Sequence, residues 1–222
     1  MVVAHTRPSS RPGKPRVTQA TFAIIETAWG FCAVVWTRTE PASRELFPKG
    51  PPAARLARIC APGMGISELR RYCQERYPGA NEVIGEGGRF HPEAVPEWFG
   101  ELASYLQSYY ATGLRDCRAS RFSDNWGYWR ERLDWSEVTP FQKQVLEVLA
   151  AIPRGERLTY GKVAARIGRP AAARAVGAAI GSNPWPVLIP CHRVIGTNGK
   201  LTGFSAPGGI GAKRRMLEME DY

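Results

Sequence analysis

The sequence predicts an α/β (α+β) protein in two parts. A small N-terminal domain with a mixed or antiparallel sheet and helices precedes a mostly helical C-terminal domain that contains a helix-turn-helix and a Cys-His pair. Three observations carry this. The β-rich runs are confined to the N-terminal part, helical periodicity is most regular beyond residue 139, and two short helical stretches there are separated only by Gly-Arg-Pro. A length of 222 residues suits one large domain or two small ones and allows a real core. The expected units are a basic disordered tail over 1–19, an α/β scaffold over 20–132 and a C-terminal unit over 133–222.

The elements follow in order. TFAIIETAWGFCAVVWT (21–37) holds two β-rich runs broken at Trp29-Gly30, a hairpin pattern, and LARICA (56–61) is a candidate third strand. Ser67-Glu68-Leu69 opens a helix through about Arg76 that Pro78-Gly79 ends, and 85–94 is a loop. PEWFGELASYLQSYYATG (96–113) is an amphipathic helix whose stripe of Trp98, Leu102, Tyr105, Leu106 and Tyr109 belongs to the core. Residues 114–139 are expected to form an irregular linker with a short strand. Beyond it, Thr139 caps a helix with Pro140 in its first position and Phe141, Val145, Leu149 and Ile152 on one face. Thr159 caps a short helix ending at Gly168, and a second runs from Pro170 to Gly181.

That second helix is nearly smooth: alanine or glycine fills most positions and Arg174 is its single long polar side chain. Either it packs tightly with Arg174 on the wet side, or it approaches a partner closely and inserts Arg174. The charge distribution bears on this choice. Of a net +10, residues 140–222 carry +7, whereas 20–139 carry −1. A basic face confined to one half is the footprint of a nucleic-acid binder. No apolar run approaches the roughly 18 residues of a membrane span, and the N-terminus lacks a secretory h-region. Five cysteines without a CxxC argue against a disulfide framework and for a reducing compartment, cytoplasmic (nucleoid-associated) or nuclear.

Cys191-His192 is the one place where a cysteine and a histidine meet. Without paired Cys/His spacing, metal binding is poorly supported and none is expected. A thiol becomes a nucleophile as thiolate, and a nearby imidazole can take its proton directly or through one water. The imidazole then needs a carboxylate to fix its tautomer, for which Glu218, Glu220 and Asp221 are candidates. On an extended strand the two side chains would face opposite ways, so the backbone is expected to turn just after Pro190.

The run GSNPWPVLIPCHRVIG closely resembles the active-site segment of the O6-alkylguanine-DNA alkyltransferases, the methylated-DNA–protein-cysteine methyltransferases. The resemblance extends upstream through LTYGKVAARIG and AAARAVGAAIGSNP and downstream through GTNGKLTGFS and KRRMLEME, covering about residues 133–220. It implies DNA repair by irreversible, single-turnover transfer of an alkyl group from O6-alkylguanine to the protein's own cysteine, with O4-alkylthymine a further candidate lesion. The partner would be double-stranded DNA bound by a monomer, with no cofactor. Cys191 would be the acceptor, His192 the water-relayed base and Glu220 the carboxylate orienting it. Tyr160 would donate a proton toward guanine N3, and Asn183 would brace the active-site turn. Arg174 would fill the gap left by the flipped lesion, with Ala173, Ala175, Lys162 and Arg193 as further DNA contacts. Val194, Phe204 and Ser205 would line the pocket.

Two departures from the family pattern stand out. The loop FSAPGGIGAK is two residues longer between Ser205 and Lys213 than its short form, and Arg215 stands where an aromatic residue is frequent. Two other functions compete with alkyl transfer. A helix-turn-helix module or lesion sensor would leave Cys191 unused. A Cys-dependent hydrolase would turn over repeatedly on small esters, but it lacks an evident oxyanion hole and leaves the basic face unexplained.

Overall fold

The computed structural model describes residues 17–39, 54–85, 89–113 and 126–221. Residues 1–16 of the expected 1–19 tail and 114–125, which include Cys117, lie outside these, whereas Val17, Thr18 and Gln19, expected in that tail, open the first strand instead. The N-terminal half is built on β1 (Val17–Thr27), β2 (Gly30–Thr39), β3 (Ala54–Met64) and β4 (Asn81–Val83) in the order β3-β2-β1-β4. The first three are antiparallel neighbours and β4 joins β1 in parallel. Gly30 permits the hairpin turn with φ +109, and the Thr27 hydroxyl donates to the Gly30 carbonyl across it at 2.6 Å.

The strands run apolar on both faces because both faces are covered. Phe22, Ala33, Val35 and Cys60 pack with Leu69 and Cys73 of α1 (Ile66–Arg76). Ala23, Ile25, Val34 and Trp36 face the opposite way, toward α2 (Phe99–Thr112) and the C-terminal half. That second cluster continues without a break to Val145, Val176, Trp185 and Met216, so one core spans the boundary expected at 132/133.

The irregular linker expected before residue 139 contains a helix, α3 (Trp126–Arg132), followed by a 3-10 turn at Trp135–Glu137. Among the described residues of this segment, an isolated bridge from Leu56 to Leu133 stands in place of the short strand, and 114–125 lie outside the described residues. Burial drives this helix: Trp129 is fully enclosed and meets Trp98 edge-on at 6.2 Å. The α2 helix begins three residues later than expected, at Phe99, with Trp98 already in helical geometry as its cap.

The C-terminal half comprises α4 (Pro140–Ala150), β5 (Leu158–Thr159), α5 (Tyr160–Arg166), α6 (Ala173–Gly181), β6 (Val194–Ile195) and α7 (Gly209–Glu220). Helices α5 and α6 form the helix-turn-helix, with Gly168 at φ +71 and a 3-10 turn at Pro170–Ala172 between them. Proline starts the segment as a 3-10 turn, so α6 proper begins at Ala173 rather than at Pro170. The hydroxyls of Thr139 and Thr159 accept from the amides of Gln142 and Lys162, capping α4 and α5. From the end of the first turn of α4, Gln142 donates to the carbonyl and hydroxyl of Ser182 at 3.1 and 3.0 Å, fixing the far end of α6. Replacing Thr139 by alanine is expected to cost about 1 kcal/mol, read as a lowered midpoint in thermal unfolding.

The halves are sewn together along β3. The Ile59 amide donates to the Pro184 carbonyl at 2.9 Å, while the Leu56 carbonyl accepts from the Asp134 amide at 2.9 Å and the Trp185 indole at 3.0 Å. These bonds use strand-edge groups that would otherwise be open. No described helix is long and apolar enough to cross a membrane.

Candidate active site

The lead-in to the cysteine is rigid for several reasons. Trp185 is fully buried against Trp135 and bonded to β3, Pro184 and Pro186 flank it, and Val187 sits at φ 73. A β-branched residue in that region costs of order 1–3 kcal/mol and persists only when its surroundings over-determine it. Asn183 supplies much of that determination. Its amide donates to the Ile189 carbonyl at 2.9 Å and its side-chain oxygen accepts from the Trp185 amide at 3.0 Å, tying both ends of the loop.

After Pro190 the chain enters a 3-10 turn at Cys191–Arg193. Successive side chains then project about 120° apart rather than to opposite faces, so neighbours can serve one centre. Val194 and Ile195 pair at once with Leu158 and Thr159, the residues that lead into the helix-turn-helix. This two-residue ladder couples the reactive turn to the start of α5.

Cys191 is 7% exposed and forms part of the wall of a cleft of about 340 Å³. The end of α6, Asn183 and the 203–207 loop line one side of it, and Arg58, Cys60 and Tyr72 contribute from the N-terminal half. Burial pushes the Cys191 thiol up, against the opposing pull of the Asn183 hydrogen bond and the Lys213 charge. The resting group at neutral pH is therefore a thiol that needs a base at the moment of reaction.

The next residue in the chain is the candidate base. His192 is 0% exposed, and burial holds its imidazole below the ordinary 6.5 despite the neighbouring Glu220 carboxylate. Its Nε2 lies 2.8 Å from Glu220 Oε1 and 3.1 Å from the Tyr109 hydroxyl. An ionised carboxylate only accepts, so Nε2 carries the proton and Nδ1 the lone pair. Nδ1 is buried and has no hydrogen-bond partner among the described residues. Burial alone would raise the Glu220 pKa, but hydrogen bonds from His192 and Arg193 override it and hold the carboxyl well below the usual range.

The remaining candidates divide. Arg174 and Ala175 are exposed on α6, Ala173 is half-buried at its start and Lys162 is exposed on α5, so all four lie on the helix-turn-helix. Arg193 does not reach this surface. It is buried, donates from Nε and Nη2 to the two Glu220 oxygens at 2.8 and 2.9 Å, and donates from Nη1 to the Ile152 carbonyl at 2.6 Å. The carboxylate claims its guanidinium, which corrects its expected placement as a DNA contact. Val194 is likewise fully buried and absent from the cleft wall, because its backbone is committed to the strand pair and to Lys213. Phe204 and Ser205 do line the cleft, with the Ser205 hydroxyl donating to the Gly181 carbonyl at 2.6 Å. The Tyr160 hydroxyl donates to the Thr202 carbonyl at 2.9 Å.

Three residues had no assigned part in the sequence. Lys213 is fully buried and donates to the carbonyls of Val194 and Thr202 at 2.6 and 3.1 Å, which anchors the long loop and sets a positive charge near the thiol. Arg215 lies over the Trp29 ring at 4.0 Å, bridging α7 to the hairpin turn. Tyr109, read as core, touches both members of the His-Glu pair. Its helical stripe gives no signal of this, because a core tyrosine and a tyrosine bonded to a relay share one periodicity.

Fold and site together define a helix-turn-helix protein with a buried cysteine centre. Comparison with known proteins narrows this. The 6-O-methylguanine DNA methyltransferase DNA-binding domain matches residues 140–222. A methylated-DNA–protein-cysteine methyltransferase of Methanosarcina acetivorans is 40% identical over 124 residues, 56% of this chain and 70% of that one. One from Salmonella typhimurium is 47% identical over 110 residues, 50% of this chain, and the match spans 63% of the Salmonella protein's length. The Mycobacterium tuberculosis O6-methylguanine methyltransferase structure superposes with a TM-score of 0.58 at 29% identity, covering 91% of this chain and 93% of that one. The OGT of that organism in complex with DNA gives 0.57 at 29% identity, covering 90% and 92%. The chain belongs to the methylated-DNA–protein-cysteine methyltransferase family.

Proposed function

We propose that this protein repairs O6-alkylguanine in double-stranded DNA by irreversible transfer of the alkyl group to Cys191. The observation that carries this is a buried thiol on the wall of a cleft at the end of α6, with the His192–Glu220 pair behind it. Guanine O6 is out of reach inside the stack, so α6 enters the minor groove, the lesion is flipped into the cleft and Arg174 fills the gap. The Cys191 proton passes through a water to His192 Nδ1. The sulfur–carbon bond forms as the carbon–O6 bond breaks, and the departing guanine is neutralised at N3 by a proton from the Tyr160 hydroxyl, released from Thr202. The thioether has no route back, so each molecule acts once, as a monomer and without a cofactor. The C-terminal unit over 133–222 supplies DNA binding and the reacting groups, and the N-terminal unit supports it.

Incubation with duplex DNA carrying one O6-methylguanine, followed by peptide mass analysis, should find a single methyl on Cys191. Tight binding with Cys191 unmodified would instead make the protein a lesion sensor, and repeated turnover on small esters a hydrolase. Replacing Arg174 by alanine should slow transfer from duplex DNA by about tenfold or more, since flipping costs a few kcal/mol that the side chain no longer offsets. Reaction with the free modified base should be unchanged; equal losses on both would contradict the insertion role.

A further inference from the structure

We infer that Tyr109, on α2 in the N-terminal half, is a positioning residue for the His192–Glu220 pair, an assignment that rests on the alkyl-transfer function proposed above. Its Oη lies 3.0 Å from Glu220 Oε1 and 3.1 Å from His192 Nε2, and those two atoms are 2.8 Å apart, so the three close a triangle. Only one pattern of protons satisfies it. The carboxylate accepts from both, so Tyr109 donates its O–H to Oε1, while its oxygen lone pair faces the Nε2–H that also points at Oε1. A proton on Nδ1 instead would leave Nε2 as a bare acceptor against an ionised carboxylate. The carboxylate therefore fixes the tautomer, the Tyr109 bond holds the carboxylate in place at Nε2, and Nδ1 is left as the base.

Other features of the site support the assignment. Tyr109 is 1% exposed, and burial with the adjacent Glu220 charge pushes its phenol well above the ordinary value, so it stays a neutral donor. Its ring is held edge-on against Tyr110 at 5.4 Å, which fixes the direction of the hydroxyl. Arg193 grips Glu220 from the C-terminal half, and Tyr109 grips it from the N-terminal half. The relay is complete only when both halves are docked.

The test uses the full chain and Tyr109→Phe, which keeps the ring and removes only the hydroxyl. Wild-type protein with His192 labelled with ¹⁵N should show a single Nε2–H tautomer at neutral pH. The variant should keep that tautomer, because Glu220 still accepts from Nε2, but its Nε2–H resonance should shift, and its single-turnover methyl transfer should be about tenfold slower at unchanged DNA affinity, the factor expected for one lost hydrogen bond in a charged network. A merely structural tyrosine would alter folding stability without moving that resonance or the rate. An unchanged His192 spectrum overturns the assignment, as does an unchanged rate in a variant of wild-type affinity. If the wild type itself transferred no methyl, the proposed activity would fail, and the comparison of the His192 resonances would still decide the role of Tyr109.

Discussion

Cys191→Ala protein should transfer no alkyl group at all, while its affinity for duplex DNA stays within about twofold of wild type. The first half follows because the sulfur is the proposed acceptor atom and nothing else on the cleft wall can replace it. Cys60 is the other thiol there, and it is buried, raised well above its ordinary pKa and paired with Cys73 rather than with a base. The second half follows from geometry. The exposed residues Lys162, Arg174 and Ala175, the proposed DNA contacts, lie on α5 and α6, and removing one sulfur from a buried turn leaves them in place. Peptide mass and fluorescence anisotropy check the two halves separately. Affinity should fall steeply with added salt in both proteins, because phosphate contacts release counterions. Residual methylation of Cys191→Ala at any site would remove the thiol from the mechanism.

The largest loss of stability is expected from Glu220→Gln. Glu220 holds a buried histidine and a buried arginine, and breaking such a pair typically costs about 3–5 kcal/mol because the surviving charge is left uncompensated. Urea unfolding should register that loss. A second change, Arg193→Met, should recover part of it by removing the stranded guanidinium; strictly additive losses would show the two groups to be uncoupled. Acid should act through the same network. His192 is held neutral below the ordinary 6.5, so the unfolded chain binds a proton there that the folded chain does not. Stability is thus fully present above 6.5 and declines as pH falls through that value. A further decline follows below 4.5, where unfolded Glu220 takes up a proton that the folded carboxylate refuses. In Glu220→Gln the decline below 4.5 should be reduced.

Much of this was legible in the chain. The hairpin, the capped helix at Thr139 and the two short helices follow from local signals that tertiary packing reinforces. The turn after Pro190 follows from a Cys-His adjacency that a strand would waste. What escaped was set by partners distant in sequence. The helix around Trp129 is short, and its marks are only the spacing of Trp126, Trp129 and Leu133 and the pocket those residues fill. Arg193 belongs to a basic half, yet a carboxylate 27 residues away draws it inward. Lys213 looks like any helix lysine until two loop carbonyls claim it. Side-chain chemistry identifies a candidate, and its direction is decided by what the fold brings near.

The stitching along β3 bears on how freely such a chain could be rebuilt from parts. The C-terminal half looks transplantable, since its motifs are continuous in sequence. It is not a free-standing cassette. A chimera that kept 133–222 and borrowed its first half elsewhere would need three backbone and side-chain features from the donor. These are a strand-edge carbonyl for Trp185, an amide for Pro184 and a hydroxyl where Tyr109 meets Glu220. Any change that loosens the sheet also loosens the turn that presents the thiol, so the two halves are bound to change together.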